Sequence, residues 1–532
     1  MKKYLLGLFV VLTFSILAGF PLLQTGLPPT HDGEYHVIRF YEFDKALRSG
    51  QLYPRWANDL NNGYGVPLFN YVYPLPNYVA SILHFFGTSF IDGFKLNMFL
   101  GLLASSIFMF LFVGAYFGVW GGIVASVFYT FAPYHLLDIY IRGSVGEVWA
   151  LAFFPAALWS IKTALSEKGK QFKNTSIFLP VSALFLALLI FSHNILAFVF
   201  FPIVISYMCF LIFSGKDRRV VAFKSIVMLV MGVSLSAIFW LPALFEKEYV
   251  RGLDIFDYRR HFVEIYQLVF PSWGSGFSGD TSTEGLSLQI GLMHIFVLCV
   301  TFLLIVISII KKRLGKKIKI SLFMLLWTVL AVFFMHEISA PFWQLIPLLQ
   351  FAQFPWRLLS IVIFCVSFLA GGLFNYNQNK KMKILAVVFI SFVVLLGIGY
   401  SKPPYYLMRD DYYYTSRSNF IDGTNSPGNA FNTIWFNTSL PKREKKIEQN
   451  GDTIIVNTAY FPGWQVYENG NKIKTGVSKD GLIKAKRSSS GGIVTVRFLD
   501  TPIQALAKGI SFVSLVLLFL LLIRSLPARM KK

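Results

Sequence analysis

Apolar runs long enough to cross a bilayer as helices recur from one end of the chain to the other. They lie near residues 4–23, 95–116, 119–134, 147–163, 175–191, 195–213, 225–243, 288–310, 320–335, 356–374, 384–400 and 504–523. A hydrocarbon core about 30 Å thick needs roughly 20 apolar residues in a helix, and in lipid the backbone has to satisfy its own hydrogen bonds. The expectation is a mainly α, polytopic membrane protein with about twelve spans and both termini inside. With 55% hydrophobic residues and only 14% charged, no ordinary soluble class fits.

Charge supports this topology. The net charge is +22, which in a soluble chain would suggest nucleic acid. Here it is explained by short cytoplasmic pieces: the N-terminus and the loops around 117, 164–174 (with Lys162), 214–224, 311–319, 375–383 and 524–532. They hold 23 of the 49 Lys and Arg residues but only Glu167 and Asp217 of the 27 acids, leaving 26 basic and 25 acidic residues outside. Positive charge without acid on one side is the pattern that fixes orientation in a membrane. No nucleic-acid partner is expected. Lys2-Lys3 and the run to Leu23 read as an uncleaved signal anchor, because no small-x-small cleavage site follows. Cys209, Cys299 and Cys365 lie inside apolar runs and read as small hydrophobes.

Four outside segments are long enough to carry function. The first, 24–94, contains an amphipathic piece from Tyr35 to Leu47, with Val37, Phe40, Tyr41 and Leu47 on one face. It also contains an aromatic stretch from Tyr71 to Phe86, read as a second juxtamembrane helix lying at the interface. The second, 135–147, is short. The third, 244–287, reads as a charged helix followed by a mobile Gly/Ser-rich loop through Gly279. The fourth, 401–503, has strand signals at Thr453–Val456, Leu482–Lys486 and Ile493–Phe498, and an Asn469-Gly470 hairpin turn between Trp464–Tyr467 and Lys472-Ile473. The expected division is therefore a helical domain over 1–400, an extracytoplasmic β-sandwich over 401–503, and a final span with a cytoplasmic tail over 504–532.

Chemistry points to His31-Asp32-Gly33-Glu34-Tyr35-His36 with Arg39, directly after the first span. Two carboxylates, two imidazoles and a guanidinium crowd beside the bilayer, where charge is costly without a partner or a task. In an extended loop Asp32 and Glu34 would project the same way, and in a helix they would diverge. Such carboxylates could serve as a base or hold a divalent cation such as Mg or Mn. The plainer alternative is a solvated loop whose acids cap a helix. His31 and His36 could hydrogen-bond the carboxylates or a phosphate; no third ligand at metal spacing makes a zinc site. Arg142 and Glu147 lie at an outside mouth, five residues apart, a poor separation for a direct helical pair. His193, in Ser192-His193-Asn194, and Arg357, opening a span in Gln353-Phe354-Pro355-Trp356-Arg357, lie at outside mouths too. A cation at Arg357 would meet a lipid phosphate, or else snorkel. The chain has no Walker loop, no Rossmann glycine fingerprint and no His-Glu-x-x-His, and the Gly274–Gly276 stretch is an incomplete nucleophile elbow. A donor reached from the outer face would therefore be carried by the membrane.

Several segments together resemble the GT-C superfamily of polytopic glycosyltransferases. Within it the chain is similar to the bacterial YfhO-type membrane proteins, including those labelled 6-pyruvoyl-tetrahydropterin synthase-related. The carrying segments are His31–His36, Tyr140-Ile141-Arg142-Gly143-Ser144-Val145-Gly146-Glu147, Phe354-Pro355-Trp356-Arg357 and Tyr460-Phe461-Pro462-Gly463-Trp464-Gln465-Val466. The resemblance implies sugar transfer from a polyprenyl-phosphate donor to an outer-face glycan, lipid or protein at the plasma membrane. Asp32 would be the base or metal-facing carboxylate and Glu34 its partner. His31, His36, Arg39, Arg142, Glu147, His193 and Arg357 would bind substrate. The metal histidines that the pterin-synthase label suggests are not arranged here. Two other functions remain open: a lipid-linked oligosaccharide flippase, and a non-catalytic assembly protein using the β-domain as a binding module. Against a flippase, the acids sit at outer mouths and the spans are nearly uncharged.

Overall fold

The computed structural model describes residues 2–166, 177–252, 257–278, 285–374, 380–416, 426–487 and 492–525. Parts of the predicted cytoplasmic loops, the end of the Gly/Ser stretch and the tail beyond 525 lie outside the described residues.

Two helices flank the first predicted loop. α1 (Lys2–Gly19) buries Gly7, Val11, Ser15, Ala18 and Gly19, a stripe of small residues that lets it pack closely on α4 (Phe90–Thr130). Within the loop, α2 (Gly33–Arg48) and α3 (Leu75–Phe85) match the two predicted juxtamembrane helices. α3 ends in exposed Ile82, Phe85 and Phe86, a face suited to a lipid interface.

α4 spans 41 residues but is not one rod. Gly118, at φ 80° and ψ −178°, breaks it in a conformation that only glycine adopts freely. The halves fold back on each other: Ser126 donates to the Ser106 carbonyl at 2.7 Å, and the Ser106 and Thr130 hydroxyls lie 2.7 Å apart. A straight helix would place these residues about 30 Å apart. The two predicted spans 95–116 and 119–134 therefore form a tight helical hairpin.

Beyond it come α5 (Pro133–Leu137), a π-turn (Asp138–Arg142), α6 (Val145–Ala164), α7 (Phe178–Ser192), α8 (Asn194–Ser214), α9 (Arg218–Leu235) and α10 (Ala237–Phe245). Next are α11 (Ile265–Val269), α12 (Leu292–Ile310), α13 (Lys316–Met335), α14 (Ala340–Leu345), α15 (Pro347–Gln350), α16 (Leu359–Gly372), α17 (Lys380–Gly397), α18 (Asp411–Ser416) and α19 (Pro502–Ser525). Among the described residues, eight helices are long and apolar enough to cross a membrane, nine if the 68° bent pair α9–α10 is one span. The remaining predicted spans are the second arm of α4, the less apolar α6 and the 15-residue α7.

The third outside segment is not the charged helix expected. It holds short 3-10 turns (Lys247–Tyr249 and Tyr258–His261) and the five-residue α11. Its buried anchors Tyr258, Val263 and Leu268 come every five residues, a spacing that no single helix face satisfies. Tyr258 stacks on Trp343, the Val263 amide bonds the Met335 carbonyl, and the Ile290 amide bonds the Leu268 carbonyl.

The C-terminal β-region has two antiparallel sheets. One runs in the order β1 (Ile447–Asn450), β2 (Thr453–Ala459), β6 (Leu482–Lys486), β5 (Thr475–Val477). The other runs β4 (Asn471–Ile473), β3 (Trp464–Glu468), β7 (Val494–Phe498). Asn469 and Gly470, both at positive φ, turn β3 into β4. Ile454, Val456, Ile483 and Ala485 from one sheet pack with Val466 and Ile473 from the other. This unit is docked on the first loop. Trp56 and Tyr64 join Phe436, Ala459, Phe461 and Leu482 in one cluster, Trp56 meets Trp464 edge-on at 5.3 Å, and the Ala459 amide bonds the Tyr64 carbonyl at 2.8 Å.

Candidate functional site

The residues from His31 to Gly33 are held by the segment 140–147. The His31 amide donates to the Ile141 carbonyl and the Asp32 amide to the Arg142 carbonyl, both at 2.9 Å. Gly143 closes the π-turn at φ 66°, and a Cβ there would lie 2.2 Å from Thr30 Oγ1. Gly146 lies under Tyr73, where a Cβ would come 2.4 Å from the ring. The glycines in this motif are thus set by the close approach of two loops.

Asp32 ends the loop as the residue before α2, half-buried. Among the described residues its carboxylate has no hydrogen bond or ion pair. Because α2 starts at Gly33, Glu34 already stands on a helical turn and diverges from it. It pairs instead with Arg409 at 2.7 Å. His31 Nε2 lies 2.8 Å from the Ser275 carbonyl, a bond that requires the Nε2-protonated tautomer, and its ring stacks on Phe277 at 5.1 Å. His36 is buried between Phe40 and Phe94, and burial holds its pKa well below the usual imidazole value. Neither imidazole hydrogen-bonds Asp32 or Glu34 among the described residues. Arg39, half-buried one helical turn further on, also lowers the His36 pKa.

Behind the loop lies a buried ion cluster. Arg142 forks onto Glu147, Nη1 to Oε2 and Nη2 to Oε1, both at 2.7 Å, and Nη1 also bonds Asp138. Arg357 Nε donates to Glu147 Oε1 at 3.1 Å, and the Tyr134 hydroxyl donates to Oε2 at 3.2 Å. The five-residue separation, poor for a direct helical pair, is bridged because the π-turn and left-handed Gly143 interrupt the helix between Arg142 and Glu147. Two carboxylates meet two guanidiniums; burial, and then the Glu147 carboxylate, pushes the Asp138 pKa well up, and Asp138 Oδ2 has no hydrogen-bond partner among the described residues. Trp356 covers Arg142, its ring centre 4.6 Å from the guanidinium. Arg357 Nη1 is further spent on the Ala352 carbonyl and Gln353 Oε1. It does not snorkel.

His193 caps α8: its Nδ1 accepts the Leu196 amide at 3.1 Å, so Nε2 carries the proton, 3.9 Å from Glu147 Oε1. Tyr73 packs on its ring at 4.8 Å. Burial raises the Tyr73 hydroxyl pKa, and Arg39, Asp32, Glu147 and Arg142 all act on it electrostatically. Tyr73 thus packs on both His193 and Gly146, at the edge of the ion cluster. In the sequence it is one ring in an aromatic-rich stretch, with nothing to set it apart. Tyr134, Ser275 and Arg409 escaped notice because each acts through a contact distant in sequence. Over the site lies the third segment, where His31 meets Ser275 and His261 meets the Phe354 ring at 4.7 Å. Among the described residues no three His, Cys, Asp or Glu side chains gather to hold a metal ion.

An uncharacterized protein of Lactococcus lactis subsp. cremoris (strain MG1363) is 25% identical over 271 residues, 49% of this chain and 43% of that protein. The chain thus matches less than half of that relative's length. Two cryo-EM structures of the mycobacterial arabinofuranosyltransferase AftD overlie 74% and 75% of this chain and 27% of theirs. Their TM-scores are 0.46 and 0.44, at 15% and 14% identity. A family model described as the 6-pyruvoyl-tetrahydropterin synthase related domain, a membrane protein, matches residues 69–402, which include the ion cluster, Tyr73 and His193. The chain belongs to this 6-pyruvoyl-tetrahydropterin synthase-related family of membrane proteins.

Proposed function

We propose that this protein is an integral membrane glycosyltransferase. It moves a sugar from a polyprenyl-phosphate donor to an extracytoplasmic glycan, lipid or protein acceptor. It would lie in the plasma membrane with both termini inside and the β-domain outside. The observation that carries this reading is the unpaired Asp32 carboxylate, fixed by backbone bonds beside a buried ion cluster.

In the proposed step the acceptor hydroxyl gives its proton to Asp32 as its oxygen bonds the sugar's anomeric carbon. The bond from that carbon to the carrier phosphate breaks, and the phosphate keeps the electron pair. Arg39 and the Nε2–H of His193 supply positive charge and a donor for that phosphate. Arg142, Glu147 and Arg357 are positioning residues, because their polar atoms are spent on one another. Glu34 serves to hold the 401–409 segment through Arg409. Asp32 and Glu34 do not form a closed metal site, so no step here runs through a cation. The chelator arm of the experiment tests that separately.

The test is incubation of membranes carrying the protein with radiolabelled polyprenyl-phosphate hexoses, with and without chelator. Label should move to an acceptor with the wild-type protein and not with Asp32→Asn, while both insert and fold alike. Transfer by the Asp32→Asn variant would sink the role given to Asp32. Label crossing the bilayer still attached to its carrier would favour a flippase instead.

A further inference from the structure

Between α1 and the C-terminal end of α17 runs a lateral groove of about 480 Å³. Thr13, Ile16, Leu17, Phe20, Pro21 and Ile398 line it, with Ser401 and Lys402 at its head. Ile16, Leu17 and Phe20 are exposed along it, so it opens sideways from the helix bundle. α1 and the α17 segment are both apolar enough to span a membrane, so what lies against this groove is lipid. The apolar floor runs from Phe20 down to Thr13, about 10 Å along the helix. At the top, Lys402 is exposed and, among the described residues, has no ion pair or hydrogen bond.

An apolar channel capped by one unpaired ammonium matches one ligand chemistry: a hydrocarbon chain ending in an anionic phosphate headgroup. We infer that the groove holds a single anionic phospholipid, its headgroup on Lys402 and one chain along α1. The site is separate from the Asp32 centre but continuous with it through the backbone. From Lys402 the chain passes Tyr406, whose hydroxyl bonds the Pro21 carbonyl at 2.8 Å. It then reaches Leu407, paired with Leu27 at 3.0 and 2.8 Å, and Arg409, which holds Glu34. The groove's head residue thus lies seven residues from Arg409, on the same segment that pairs with Glu34.

Native mass spectrometry of the full-length, delipidated protein in detergent tests this. Phosphatidylglycerol and phosphatidylcholine with identical chains are added at equal concentration. One phosphatidylglycerol should be retained in preference. Lys402→Gln should lower its occupancy about fivefold and leave phosphatidylcholine unchanged, as expected for one basic residue at a headgroup. Leu17→Trp, which fills the groove, should lower both. Millimolar inorganic phosphate should not displace the lipid, because the chain supplies most of the binding. Equal retention of the two lipids by the wild type, an unchanged preference in Lys402→Gln, or displacement by inorganic phosphate would each overturn the assignment. Lys402→Gln alters only an exposed side chain, so it decides the matter even if Leu17→Trp does not fold.

Discussion

Glu147 accepts from four donors on its two carboxylate oxygens, so its contribution is to neutralise and orient two buried arginines. Removing its charge leaves two guanidiniums facing one remaining acid. Glu147→Gln should lower stability by about 3–5 kcal/mol, the usual cost of orphaning a buried charge, measurable as loss of the folded peak in detergent. Asp32→Asn, which orphans nothing, should leave that peak in place. The contrast separates positioning from chemistry. A second buried acid, Glu42, differs again. Burial first, then the Asp59 carboxylate, pushes its pKa up to about 8, and Oε1 has no hydrogen-bond partner. A raised folded-state pKa means the native form holds its proton more tightly than the unfolded chain. Its contribution is full below about 4.5 and is lost as pH rises through about 8. Glu42→Gln should therefore raise the melting midpoint at pH 8–9 but not near pH 4.5. A melting series across that range checks it.

At the level of elements, the site is made by interruptions. The π-turn and Gly143 bring Arg142 and Glu147 face to face, and Gly118 folds α4 back on itself. Gly143→Ala would put a Cβ into the Thr30 hydroxyl in a left-handed conformation. It should cost about 1–3 kcal/mol and lower transfer more than it lowers expression, read by comparing turnover with yield. Interruptions of this kind are where sequence reading fell short. Periodicity marked the helical segments, both juxtamembrane helices and the β3–β4 hairpin, because each depends on neighbours in the chain. It did not reveal that Arg142 and Glu147 pair, because a helical ruler fails across a left-handed glycine. The edge strands β1 and β5 were missed as well, since Ile447–Asn450 and Thr475–Val477 are too short and polar to show alternation. The motif residues were legible by type. Their roles were not, since Glu34 finds Arg409 and His31 finds Ser275 only after folding.

Across the whole molecule, the β-region and the first loop form one support. Trp56 sits between them against Trp464, Phe461 and Phe498. Trp56→Ala should cost about 3–5 kcal/mol locally and speed protease cleavage near residues 440–446, with the helices still resistant. Arg357 meets Glu147 across 210 residues, and that separation also sets an order of events during synthesis. Asp138, Arg142 and Glu147 set two acids against one guanidinium, and the second guanidinium comes only with Arg357, close to the end of the helical region.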